Sequence, residues 1–313
     1  MKKIMMGILS LLLILILITP AFGAISQFQA AEAAKPYQHD GELSYAYGPY
    51  TYEGRPYYYI SFTTNDTQTG TLVVNGEDGT IVKDTDTIRK IVFTHFMLQD
   101  ITSDSVASDI SNLTESKKDE QEFGSIGQTM KRLLPYLKTE DEEKVKGLIS
   151  SFSKLEADFQ KMNQIDEETI KIEKDVVGGN KSYENAKKIS DQYQKAIDIG
   201  NEFMDDFKNA VNQMNAFYDI FIDNSNYYRT NKNEWIEDKK EFNIEMEGTI
   251  DELEVLLSEL TYLINTEATK SIEWDVESAE SRISANETPG FSFFLTAAIL
   301  GLAAIVVGKR YRK

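Results

Sequence analysis

Residues 183–223, YENAKKISDQYQKAIDIGNEFMDDFKNAVNQMNAFYDIFID, decide the fold of this chain. Apolar or small residues recur there at alternating steps of three and four positions, and the row they form is Ala186, Ile189, Tyr193, Ala196, Gly200, Phe203, Phe207, Ala210, Met214, Phe217 and Phe221. Five consecutive heptads of this kind predict a long helix with a coiled-coil seam. The 3.5-residue repeat predicts a left-handed supercoil.

The flanking segments show the same spacing. Shorter apolar rows lie within residues 123–137 and 145–162, and a third row is Phe242, Met246, Thr249, Leu253, Leu256, Leu260 and Leu263. Only Pro135 interrupts the chain between Pro56 and Pro289, which favours long helices. We therefore expect helices near residues 104–137, 140–177, 181–228 and 232–284. Because the connections are short, residues 104–285 are predicted to form an antiparallel helical coiled-coil bundle, whose aromatic seam we interpret as core rather than as a ligand groove.

A tyrosine-rich module precedes the helices. Residues 39–103 alternate aromatic and polar residues between Gly- and Pro-containing turns, which is typical of β-strands, and they end in a helical pattern near residues 84–100. We predict a small β-meander with one helix packed on it, which gives the chain an α+β fold. The small and polar residues 24–38 are interpreted as a linker. Residues 70–82, GTLVVNGEDGTIV, faintly resemble the strand-turn-strand of PepSY-like domains, a resemblance that implies a noncatalytic binding or inhibitory module.

Four of the tyrosines form a candidate binding patch: Tyr45, Tyr47, Tyr50 and Tyr52. Exposed tyrosine rings bind sugars and protein partners, because each offers a flat apolar surface and one hydroxyl group. The alternative is that these rings pack on the sheet, since tyrosine has a high strand propensity. We favour packing.

Both ends of the chain carry membrane signals. Residues 1–23 have two lysines, an apolar run and small residues at Ala21 and Gly23, as in a secretory signal peptide cleaved after Gly23. Ala31 and Ala33 offer a second cleavage site. The alternative is an uncleaved N-terminal anchor. Residues 291–308 are apolar and long enough to cross a bilayer, and the basic residues 309–313 place the C-terminus in the cytoplasm. The alternative for this apolar run is a buried core helix.

The C-terminal layout carries a resemblance. Pro289, Gly290 and Phe291, followed by the apolar run and the basic tail, resemble the PGF-CTERM sorting signal of archaeal surface proteins, here over residues 286–313. The resemblance implies that an archaeosortase-type processing enzyme cuts near the tripeptide, removes the helix and joins the new C-terminus to a membrane lipid. The mature protein would then be anchored by lipid to the outer face of the membrane.

Composition narrows the class of function. The chain has 313 residues with 51 acidic and 33 basic side chains, a net charge of −18, so we expect no nucleic-acid partner. The absence of cysteine and the presence of two histidines exclude a disulfide framework, a thiol nucleophile and a multi-histidine metal site. An exported chain could be glycosylated at four sequons, although such sequons also arise by chance: Asn65, Asn112, Asn180 and Asn286.

These features predict a noncatalytic, exported cell-surface protein with a structural or adhesive role, associated with a surface layer. The alternative is a ligand-sensing or accessory ectodomain that acts through a membrane protein partner. We find no sequence motif of an enzyme and expect no catalytic residue, cofactor or metal site. The carboxylate pair of a glycosidase leaves no local signature, so motifs do not exclude that class, but the poor clefts of long coiled coils argue against it.

Overall fold

The computed structural model describes residues 24–287. The predicted signal peptide, the sorting motif Pro289, Gly290 and Phe291, the transmembrane helix 291–308 and the basic tail lie outside the described residues. Residues 24–96, 181–183 and 271–287 form one unit, which we call the sheet unit. Residues 97–180 and 184–270 form a second unit, the helical unit. Sheet and long helices together confirm the α+β class.

The sheet unit is built on a three-stranded antiparallel meander. Its strands are β1 (Leu43–Tyr52), β2 (Arg55–Thr64) and β3 (Thr67–Asn75), in that order across the sheet. The β2–β3 hairpin turns at Asn65 and Asp66, which both have positive φ, as the tight turns of hairpins require. Of the strand-turn-strand pattern seen in residues 70–82, the second strand is reduced to a single bridge between Val74 and Ile81.

One face of the sheet is covered by a helix where we expected a linker. Helix α1 (Gln27–Ala34) begins at a capping box in which Ser26 and Gln29 satisfy each other's backbone N–H groups. Ala30 and Ala34 are fully buried in the core. The alanines that looked like linker composition are therefore good helix formers whose small side chains allow close packing on the sheet.

Helix α2 (Thr85–Leu98) confirms the helix predicted near residues 84–100, and it packs into the core of the sheet unit together with helix α7 (Ala268–Glu287). The predicted helix 232–284 is instead interrupted at Leu263–Glu267 by a π-helical turn. The residues that follow this turn bury Val276, Ala279 and Ile283 in the core of the sheet unit. The last described helix therefore belongs to the β-module from residue 271 onward, and not to the helical bundle as expected.

The helical unit contains helices α3 (Ser103–Leu133), α4 (Thr139–Val177), α5 (Tyr183–Asp223) and α6 (Lys232–Tyr262), which confirms four long helices in this region. Contacts between successive helices show that these neighbours are antiparallel, because the residue number rises along one helix as it falls along the next. The contacts are Lys117–Glu167 and Phe123–Phe159, Lys154–Asp206 and Lys161–Glu202, and Lys208–Glu254 and Lys239–Asp219. Within residues 24–287, none of the helices combines the length and the apolar character that crossing a membrane requires.

The core of the helical unit is formed mainly by α4 and α5. Val145, Leu148, Phe217 and Ile220 are buried together in one cluster. The heptad row of α5 faces inward except at Tyr193, which is exposed. All residues of α6 are described and none is buried.

The third predicted row is correct at its start and wrong at its end. Phe242, Met246 and Leu253 are partly buried. Leu256, Leu260 and Leu263 are 60%, 39% and 54% exposed. Packing on α5 shifts to Leu257, which lies against Gly200, so the inner row of α6 does not follow the predicted seam to its end.

Candidate functional site

A β-bulge in β1 places the tyrosines of the candidate patch. Tyr47 pairs with Tyr59, and Tyr50 pairs with Tyr57, so β1 contains one residue more than β2 over this stretch. Side chains alternate between faces along a strand, and the extra residue reverses that alternation. Tyr47 and Tyr50 therefore share the face of the sheet that bears Tyr59.

Helix α2 covers one part of this tyrosine face and leaves the other part open. The Tyr50 hydroxyl shares a hydrogen bond of 2.8 Å with Nδ1 of His95, and the Tyr59 ring stacks on the His95 ring at 3.8 Å between centroids. Tyr50 is 2% exposed, whereas Tyr45 and Tyr47 are 48% and 42% exposed. The predicted patch is therefore divided, and Tyr50 is a core residue.

The side chain of Tyr52 also makes its contacts within the protein. Its hydroxyl accepts a hydrogen bond of 2.6 Å from Nζ of Lys90, and its ring meets the Tyr183 ring edge-on at 5.5 Å. Lys90 also lies 4.7 Å from the centre of the Tyr52 ring. Of the four tyrosines in the candidate patch, only Tyr45 and Tyr47 are therefore exposed.

Asp275, on helix α7, is the fourth member of a buried cluster that also contains Tyr50, Tyr59 and His95. Its Oδ2 accepts a hydrogen bond of 3.1 Å from the Tyr59 hydroxyl, and its Oδ1 accepts one of 2.9 Å from Nε2 of Gln68. The backbone carbonyl of Asp275 accepts a third bond from the Thr71 hydroxyl. Sequence reasoning missed this residue. The row Ile272, Val276, Ala279 and Ile283 was the available signal, since its steps of four, three and four predict a buried helix face around it.

Burial sets the charge state of this cluster. It lowers the pKa of His95 to about 4, with a smaller contribution from the charge of Lys181. It raises the pKa of Asp275 to about 6, against the hydrogen bonds from Tyr59 and Gln68. Burial also raises the pKa values of Tyr50 and Tyr59. At neutral pH the cluster therefore holds a neutral imidazole, neutral phenols and one carboxylate whose two oxygens are hydrogen-bonded, an arrangement that joins sheet and helices.

A second buried contact ties the chain's last helix to the start of the sheet. The guanidinium of Arg282 donates to the carboxylate of Glu42 at 3.0 and 3.2 Å. A Cβ on Gly70 would lie 2.1 Å from Nε of Arg282, so any larger residue here would displace the guanidinium from its present place. Burial alone would raise the pKa of Glu42, but hydrogen bonds from Arg282, the His39 backbone and Thr69 lower it to about 2.

The surface of the described residues meets one requirement for glycosylation. All four sequon asparagines are exposed: Asn65, Asn112, Asn180 and Asn286. Asn65 lies at the tip of the β2–β3 hairpin and Asn180 in the turn before α5. Each of these sites is therefore accessible to a glycosylating enzyme.

The helical unit has a shallow groove of about 300 Å³ between α4 and α5. Its charged lining is largely engaged within the protein, because Lys161 pairs with Asp158 and Glu202, and Glu168 accepts a hydrogen bond from Gln192. Across residues 24–287, no group of three or more acidic or histidine side chains is arranged to hold a metal ion.

No family model, no curated protein and no solved structure matches the chain.

Proposed function

We propose that this chain is a noncatalytic surface protein, exported and then anchored through its C-terminus to a lipid on the outer face of the membrane, with a structural or adhesive role. An archaeosortase-type enzyme would be its processing partner. The helices α4, α5 and α6 would form the coiled-coil part, supported by the inward-facing heptad row of α5.

The observation that carries the proposal is the layout of the two ends of the sequence, with a signal-peptide pattern in residues 1–23 and Pro289, Gly290 and Phe291 followed by an apolar run and a basic tail. The first helix cap is Ser26, three residues after the predicted cleavage at Gly23. Cleavage after Gly23 would therefore keep helix α1, whereas cleavage at Ala31 or Ala33 would divide it.

Anchoring would hold the sheet unit next to the membrane. Arg282 is hydrogen-bonded to Glu42 within that unit, and Pro289 lies only seven positions after Arg282. Seven residues span at most about 25 Å when fully extended. The β-module is then the tethered part of the chain, in contrast to a β-head carried away from the anchor by a helical stalk.

The test is the intact mass of the protein extracted from its native membrane. We expect a chain that lacks residues 1–23 and the segment after about Pro289, and that carries an added lipid mass. A variant with Gly290→Val in the motif is the matched control and should keep residues 291–313. A wild-type mass that includes residues 291–313 would refute lipid anchoring and favour a single-pass protein that acts through a membrane partner. A wholly cytosolic protein would refute both.

A further inference from the structure

Helix α6 and Leu263, the first residue of the π-helical turn that continues it, carry an apolar row that the described residues leave uncovered. Leu256, Leu260 and Leu263 follow one another at steps of four and three, so they lie on one face of the helix. They are 60%, 39% and 54% exposed. The helix packs on α5 through a different row, in which Leu257 lies against Gly200 and the Phe242 ring lies 5.6 Å from the Tyr218 ring.

The charge around this outer row has one sign. No lysine or arginine occurs between Lys240 and Lys270, whereas eight acidic residues do. Glu252 and Glu259 are exposed, and helical spacing places them on the same face as Leu256 and Leu263. The outer row is therefore a strip of leucines bordered by carboxylates without a basic residue beside them in the helix.

We propose that this outer row, Leu256, Leu260 and Leu263 with Glu252 and Glu259, binds a basic amphipathic helix of a partner protein. The leucines would bury the apolar face of that helix, and its lysines or arginines would pair with the carboxylates. A second copy of the chain fits poorly, because it would bring acidic borders against each other. Anionic lipid is repelled for the same reason. The proposal stands independently of the anchoring of the C-terminus.

The experiment uses the full chain in nanodiscs of zwitterionic lipid and a fluorescent synthetic helix of about five turns, made of leucine and lysine at amphipathic spacing. Fluorescence anisotropy should show saturable binding that empty nanodiscs do not give. The double variant Leu256→Ser with Leu260→Ser should weaken binding about tenfold or more, since both apolar contacts are lost. These side chains are exposed, so the fold should persist, as circular dichroism would verify.

Two further double variants distinguish binding that depends on the carboxylates of the outer row from unspecific attraction to the acidic protein. Glu252→Gln with Glu259→Gln should weaken binding severalfold and reduce its salt dependence. Glu115→Gln with Glu122→Gln removes the same charge from exposed positions of α3 and should change binding less than about twofold. An equal loss of binding affinity in the two double variants would overturn the proposal in favour of unspecific attraction. Equal binding of a peptide that has the same composition in scrambled order would overturn it in the same way. A dimer detected by sedimentation and abolished by the leucine variants would overturn it in favour of self-association.

Discussion

Replacing Arg282 by methionine should destabilise the sheet unit by about 3 kcal/mol. The side chains of Arg282 and Glu42 are 9% and 7% exposed, and the guanidinium also donates to the backbone carbonyls of Tyr37 and Thr69. Removing one partner of a buried ion pair costs about 3–5 kcal/mol, because the other charge stays buried. We expect the lower end of this range, since Glu42 keeps hydrogen bonds from the His39 N–H and the Thr69 hydroxyl.

The two tryptophans allow each unit to be followed separately. Trp274 lies in the sheet unit and Trp235 in the helical unit. In a Trp235→Phe background, tryptophan fluorescence during urea unfolding reports the sheet unit alone. Arg282→Met should lower its midpoint, whereas Arg89→Met, at an exposed position of α2, should change the free energy of unfolding by less than about 0.5 kcal/mol.

The variant Gly70→Ala tests the same contact from the other side. Its new methyl group would occupy the place of Nε of Arg282, so we expect a loss of stability similar to that of Arg282→Met. The double variant should be little worse than either single variant, because both remove one interaction. A loss of less than about 1 kcal/mol for Arg282→Met, or fully additive losses, would refute the reasoning that this pair joins the last helix to the sheet.

Three other predictions concern single side chains. Burial and the nearby Asp109 raise the pKa of Glu173 to about 7, so its protonated form stabilises the helical unit below pH 4.5, and this stability is lost as the pH rises through 7. The expected loss in the free energy of unfolding is roughly 1–2 kcal/mol, measured by Trp235 fluorescence, and Glu173→Gln should abolish it. The control Glu122→Gln, at an exposed position, should show the same loss as the wild type. Leu148→Ala, at a fully buried site, should cost about 3 kcal/mol in urea unfolding, and Leu256→Ala less than about 0.5. Tyr50→Phe should cost about 1–2 kcal/mol in urea unfolding followed by Trp274 in the Trp235→Phe background, because it leaves Nδ1 of the buried His95 unpaired.

Periodicity predicted the helical unit well because its contacts are local. The breaks at Pro135 and Gly178 lie close to the ends of α3 and α4, and the α5 row faces the core as expected. The failure in α6 has a physical cause. Heptad spacing predicts that one face of a helix is apolar, but any helix of matching spacing can cover that face. The position of Leu256 in the row therefore does not specify whether the covering helix belongs to the same chain.

The other differences between the sequence predictions and the structure arise from contacts between residues that lie far apart in the sequence. Asp275 meets Tyr59 across 216 positions of sequence, and nothing in the spacing of either residue specifies the other. The β1 bulge likewise depends on pairing with β2, so the alternation of tyrosines was visible but the division of the patch was not. The linker at residues 24–38 was misread because alanine is common both in flexible segments and in tightly packed helices.

The chain order of the two units gives the buried polar contacts a physical role. Residues 97–180 and 184–270 interrupt the sheet unit, so Arg282 can reach Glu42 only by closing a loop of 240 positions. Closing a flexible loop of that length costs roughly 5 kcal/mol in chain entropy, a cost that rises only slowly with further length. Contacts within the helical unit restrict the inserted segments, so the cost is lower once that unit has folded. We expect the pairs Arg282–Glu42 and Asp275–Tyr59 to fix the register of the last helix, in addition to the apolar burial of Val276 and Ala279.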